Sequence, residues 1–135
     1  MITGIVNSYR EATVELALYD ARGQQQVILT IVDTGFDEAL TLPAILIQSL
    51  GLPLRGSGTT LLADGSESQY NIHEAVINWD GQFQQILVNS AETDPLLGMS
   101  LLEDYELRVQ VRPGGGVFIT ALPNTSGIAP APVTP

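Results

Sequence analysis

"IVDTGF", residues 31–36, runs two β-branched apolar residues into a carboxylate, a hydroxyl, a glycine and a phenylalanine. The residues just before it, "QQVILTIV" (25–32), are apolar on both faces of an extended chain and predict a central strand of buried type. A carboxylate at the end of such a strand is costly unless it is hydrogen-bonded, paired or sharing a proton. Asp33 therefore needs a compensating partner, and the surrounding sequence indicates the frame in which that partner is found.

Upstream, "ATVELALYD" (12–20) alternates, with Val14, Leu16 and Leu18 on one face and Thr13, Glu15, Ala17 and Tyr19 on the other. With the turn-like "DARG" between them, this segment and 25–32 read as a hairpin. Downstream, "DTGFDEALTLPAILIQSLGLP" predicts a loop, a short strand over 39–42, and a helix with Pro43 in its first turn and Gly51 at its end. From residue 57 the texture is strand and turn. Two Asp-Gly pairs, Asp64-Gly65 and Asp80-Gly81, each flanked by strand-like runs, predict two successive hairpins. "AETDPLLGMSLLEDYELRVQV" predicts a short helix over 101–105 capped by Ser100, then a strand over 107–111, and "RPGGGVFITA" turns into a last strand. Residues 1–122 thus read as one mainly β domain with two short helices. Residues 123–135, rich in Pro, Thr, Ser and Ala, read as a disordered or extended tail.

Composition narrows the function. A chain of 135 residues is one domain, large enough for a core but small for an enzyme with a deep cleft of its own, so a partner chain is expected. With 44% hydrophobic and 15% charged residues it is apolar, yet no run approaches the roughly 18 apolar residues of a membrane span. The apolar excess points to extra burial at an oligomer interface. The net charge is -10, and the five basic residues, Arg10, Arg22, Arg55, Arg108 and Arg112, are scattered, which argues against binding nucleic acid or an anionic membrane. The absence of cysteine excludes disulfides, thiolate metal sites and a cysteine nucleophile. A single histidine, His73, excludes a multi-histidine metal site and reads as structural. "GSG" at 56–58 lacks the lysine of a phosphate loop, Glu103, Asp104 and Glu106 read as a solvated face, and Trp79 reads as core. "MITGIVNSYR" has no basic region followed by an apolar core, so a cytoplasmic location is expected.

Four features stand in order along the chain: a strand ending in "DTG", an Asp-Gly hairpin some thirty residues later, the triplet "LLG" at Leu96–Gly98, and a short helix after it. This order resembles the retropepsin-like aspartic proteases, over roughly Val14 to Val111. "DTGF" followed by "LTLP" is most similar to the bacterial branch whose catalytic loop carries phenylalanine. The resemblance implies a closed, barrel-like β domain that is half of a homodimer, with Asp33, Thr34 and Gly35 catalytic and a flap hairpin over the substrate. It places Phe36, Asp37 and the flap residues Leu62, Ala63, Asp64, Gly65 and Ser66 at the substrate. No metal or cofactor is expected, and the partners are a second copy and a peptide or protein substrate.

The chemistry agrees with that reading. Peptide hydrolysis without a metal or covalent intermediate needs a water between a carboxylate that takes its proton and a carboxylic acid that polarises the scissile carbonyl. Two carboxyls about 3 Å apart share one proton, because both cannot ionise there cheaply. The chain holds one such triplet, so a complete dyad requires Asp33 from two copies related by a twofold axis. In the family the threonine hydroxyl reaches the opposite loop; Gly35 permits a tight turn and close approach of substrate backbone. The Asp64-Gly65 and Asp80-Gly81 hairpins are locally equivalent as flaps, and only their order along the chain separates them. The chain also departs from the family pattern. Phe36 replaces a small residue, and Met99 and Ser100 stand where retroviral members have an arginine, paired with the aspartate matching Asp37, and an acidic or amide residue. A catalytically silent dimeric module that binds an extended peptide or a partner protein is the alternative.

Overall fold

The computed structural model describes residues 1–124, and the part of the expected tail beyond Asn124 lies outside the described residues. The protein is mainly β. The strands are β1 (Ile2–Val6), β2 (Ala12–Tyr19), β3 (Gln25–Val32), β4 (Leu40–Leu42), β5 (Leu54–Leu61), β6 (Glu67–Trp79), β7 (Gln82–Ser90), β8 (Leu96–Leu97), β9 (Tyr105–Val109) and β10 (Gly116–Ala121), with two short helices, α1 (Ala44–Leu50) and α2 (Met99–Leu102). No helix among the described residues is long and apolar enough to cross a membrane.

One ten-stranded sheet runs β5-β6-β7-β4-β8-β3-β2-β1-β10-β9, and a further pairing joins β6 to β2 at Ala17↔Asn78, Leu18↔Ile77 and Tyr19↔Val76. That pairing closes β2, β3, β8, β4, β7 and β6 into a ring. The inward faces of the ring supply the core: Leu16, Leu18, Leu40, Leu42, Ile77, Val88 and Leu97 are all fully buried. The alternation of 12–20 fits this, since Val14, Leu16 and Leu18 face in. Trp79 is buried, and His73 brings Nδ1 to 3.0 Å from the Leu52 carbonyl, a structural contact.

The turn between β2 and β3 is held by its first residue. The Asp20 carboxylate accepts N–H bonds from Gln24 and Arg22, both 2.9 Å, and one from the Gln26 amide at 3.2 Å. The Gln24 bond first, with the other two, holds this buried carboxyl below its ordinary value of 3.8. A depressed carboxyl stabilises the fold above its unfolded value, and that stabilisation is lost as the pH falls through the folded value. Asp20→Asn is therefore expected to be clearly less stable than wild type at pH 7, with the gap narrowing as the pH falls below 3.8. Urea titrations across that pH range check this; a gap of constant size would assign the effect to packing.

Four expectations need correction or addition. β3 is central in the sheet but buried on one face only: Val27 and Leu29 are 59% and 60% exposed. Continuous apolarity does not by itself distinguish a doubly covered strand from one with a bare apolar face. The second helix begins at Met99 rather than 101, with Gly98 at its N-cap and no side-chain cap from Ser100. Its first N–H groups are satisfied from elsewhere, Met99 donating to the Phe36 carbonyl and Ser100 to that of Glu38. Asp104, at φ 69, breaks the chain direction directly after that helix, so β9 spans Tyr105–Val109 and not 107–111. Finally, the N-terminal segment forms β1, pairing with β2 and with β10 from the far end of the chain.

Candidate functional site

The loop 33–39 leaves β3 and returns as β4, but the two strands are not neighbours. β8 lies between them, parallel to β3 (Ile31↔Leu96, Val32↔Leu97) and antiparallel to β4 (Leu40↔Leu97, Thr41↔Leu96). The loop thus straddles the "LLGMS" segment and is bonded to it throughout. Asp33 N–H donates to the Leu97 carbonyl at 2.9 Å, Gly98 N–H to Ala39 at 2.9 Å, and Met99 N–H to Phe36 at 2.7 Å. A side chain at Gly98 has no room: a Cβ there would lie 2.0 Å from the Glu38 carbonyl oxygen and 2.5 Å from the Phe36 ring.

This backing fixes the Asp33 side chain. Its Oδ1 accepts the Gly35 N–H at 2.9 Å, and its carbonyl accepts the Phe36 N–H at 3.1 Å, closing a tight turn. Oδ2 has no partner among the described residues, and neither does the Thr34 hydroxyl. Asp33 is half-buried, while Thr34 and Gly35 are exposed. One carboxylate oxygen is oriented by the backbone and the other is free for chemistry. A hollow of ≈ 460 Å³ adjoins this surface, lined by Asp33, Thr34, Arg10, Leu107 and Val109 among others. Arg10 was not legible as a site residue. Its turn is built on Asn7, whose Oδ1 accepts the N–H groups of Tyr9 and Glu11, an Asx signal in "NSYRE" that marks a turn and no function.

The loop presents its other residues in opposite directions. Phe36, half-buried, packs on Gly98 and lines a groove of ≈ 640 Å³ with Glu38, Thr41, Tyr70, Asn89 and Glu92. Asp37 instead opens onto a separate hollow of ≈ 400 Å³ beside Gln84, Gln85 and Ser100, so it does not share the Phe36 groove. Asp37 has no ion pair among the described residues, in keeping with Met99 in the place of an arginine.

The two Asp-Gly hairpins differ in what holds them. At the β6–β7 turn the Asp80 carboxylate pairs with the Met1 ammonium at 2.8 Å and lies 3.4 Å from the Tyr105 hydroxyl. The ammonium first draws the Asp80 carboxyl below its ordinary value, and burial raises the Tyr105 phenol. Trp79 stacks edge-on against Tyr105 next to this turn. At the β5–β6 turn every bond is internal: Leu62 N–H to Ser66, Gly65 N–H to Leu62, and the Ser66 N–H and hydroxyl to Asp64 Oδ1 at 2.9 and 2.5 Å. The Ser66 hydroxyl is the main reason that the Asp64 carboxyl titrates low. Leu62, Ala63, Asp64, Gly65 and Ser66 sit at this exposed tip and do not line the groove. The strand residues behind them, Thr59, Thr60, Ser68, Gln69 and Tyr70, do. Tyr70 lies across Gly58 of the facing strand, where a Cβ would be 2.5 Å from its ring.

The tip is thus held by its own bonds, at the end of a two-stranded arm whose strands line the groove. Gly65 and Gly81 both have positive φ, 86 and 84, so valine is strained at either. On the peptidase expectation, Gly65→Val suppresses cleavage more than stability, and Gly81→Val costs mainly stability. Paired melting curves and peptidase rates decide, and equal kinetic effects would exclude the β5–β6 hairpin as the flap.

No family model matches the chain, and no curated protein matches it.

Proposed function

We propose that the protein is an aspartic endopeptidase of retropepsin-like fold, active as a homodimer in which Asp33 of both copies activates one water. The observation that carries the reading is the state of the loop in a single chain. Asp33 has one oxygen fixed by Gly35 and one unpartnered, Thr34 beside it is exposed and unpartnered, and β8 holds the whole turn from behind. A loop so rigidly backed, presenting unsatisfied polar groups outward, is suited to meeting its own twofold copy. In the dimer one carboxylate takes a proton from the water as it attacks the scissile carbonyl, and the partner's carboxylic acid hydrogen-bonds the carbonyl oxygen. The tetrahedral intermediate then collapses as the C–N bond breaks, and the amine leaves with the proton first taken from the water.

An extended substrate would lie between the loop and the β5–β6 hairpin, adding its backbone to the strands and its side chains to the Phe36 groove. The silent peptide-binding module would use the same surface, with Phe36 filling space that a reacting peptide needs. The deciding test is cleavage of an unfolded protein at mildly acid pH by the wild-type chain and by Asp33→Asn. Binding without cleavage by the wild type would favour the silent module.

A further inference from the structure

We infer that the groove beside Phe36 is a side-chain subsite for a basic residue, lysine or arginine, of the bound peptide. The inference rests on the peptide-binding reading of the groove and adds which residue that groove selects.

The floor of the groove presents a hydroxyl that no protein group bonds. Thr41 is 6% exposed, and its hydroxyl has no hydrogen-bond partner among the described residues. Leu40 and Leu42 on either side of it face the core, so strand alternation turns Thr41 the other way, onto the groove. Among the described residues Trp79 Nε1 is the buried side-chain atom that lacks a partner, so the Thr41 hydroxyl still reaches the groove, where a ligand donor can take the place of water on it. The walls carry two aromatic rings, Phe36 and Tyr70, whose flat faces suit the methylene stem of a long cationic side chain.

The mouth is anionic and uncompensated. Glu38 and Glu92 both line the groove and both are exposed. The Asn89 amide donates to Glu38 Oε2, which orients that carboxylate and leaves Oε1 free. Glu92 has no partner among the described residues. No arginine lines the groove, and the chain has no lysine at all. Two carboxylates at a mouth without a cation, above a floor with a free hydroxyl, complement a group that is cationic at its end and rich in N–H donors. An acidic side chain would be repelled there. An apolar one of equal length would fill the stem region and leave the carboxylates and Thr41 unpaired.

The experiment uses octapeptide pools, degenerate except at one fixed position that carries lysine, arginine, norleucine or glutamate. Binding to the Asp33→Asn protein is read by competition against a labelled pool, and cleavage by the wild-type protein is read by mass spectrometry. At one fixed position the lysine and arginine pools are expected to bind about tenfold more tightly than the norleucine pool, and the preference to weaken with salt. Glu38→Gln, Glu92→Gln and Thr41→Val should each shrink that preference several-fold, weakening lysine and arginine binding relative to norleucine binding. Equal affinity for lysine and norleucine at every position, or a preference that survives the Glu38→Gln/Glu92→Gln double variant, overturns the subsite. Basic-selective binding with no cleavage by the wild type would sink the protease reading and leave the subsite standing. Cleavage with no basic preference would do the reverse.

Discussion

Replacing Asp33 by Asn is expected to lower cleavage of unfolded protein by about a thousandfold or more, within the range that general acid–base groups contribute. The amide can still accept the Gly35 N–H through its oxygen, so the turn that Asp33 closes survives, and only the proton chemistry is lost. Folding and dimer content should therefore match wild type or improve, because two carboxyls that resist sharing a site have become neutral amides. A mixing experiment tests the shared site directly. If each active centre needs an Asp33 from both copies, an equal mixture of wild type and Asp33→Asn retains about a quarter of the wild-type rate once subunits have exchanged. Retention of half would mean that each chain works alone, and persistent cleavage in the pure variant would remove Asp33 from the mechanism.

Gly98→Ala is expected to lower stability by about 1–3 kcal/mol and to depress activity beyond what the loss of folded protein explains. Gly98 has φ -104, an ordinary backbone angle, so the requirement is one of space. The added methyl would sit 2.0 Å from the Glu38 carbonyl oxygen, 2.5 Å from the Phe36 ring and 2.8 Å from the Phe36 carbonyl oxygen. Two of those atoms are backbone acceptors, already bonded to the N–H groups of Ser100 and Met99. The loop can make room only by lifting off α2, which carries Phe36 and the Asp33 turn with it. Gly56→Ala is the control, since nothing lies within 4 Å of a Cβ there and its φ is not positive, and its effect should stay within about 0.5 kcal/mol. Urea midpoints on the three proteins make the comparison. A Gly98→Ala protein as stable as wild type would mean that the loop is not held from behind.

What could be read from the sequence was what local chemistry dictates. The alternation through Val14, Leu16 and Leu18, the Pro43 to Gly51 helix and the two Asp-Gly turns each carry their own signal, and each element formed. The order of "DTG", hairpin and "LLG" led to the loop and to the segment now seen bonded behind it. What was illegible depends on distant partners. β1 is five residues long and is defined by β10, more than a hundred positions away. The start of α2 is set by the carbonyls of Phe36 and Glu38 and not by the capping residue at 100. The polar groove shows the same limit most clearly: Thr41 comes from β4, Tyr70 from β6 and Asn89 from β7, and no window of sequence contains all three. Asp37 fails in the other direction, adjacent to Phe36 in sequence but turned to a different hollow by the alternation of the chain.

The placement of β8 has a consequence for how the molecule comes into being. Leu97 follows Asp33 by about sixty residues, yet its carbonyl is what the Asp33 N–H bonds to. The hairpin of β2 and β3 can form as soon as it is synthesised, since its contacts are local. The gap between β3 and β4 must wait, open, until residues 96–100 have left the ribosome and inserted into it. Closing so long a loop is slow, so the Asp33 turn takes shape well after the β2–β3 hairpin beside it. A nascent chain therefore carries no formed Asp33 turn while residues 96–100 are still unmade, so whatever that turn does is withheld until most of the chain that bears it exists.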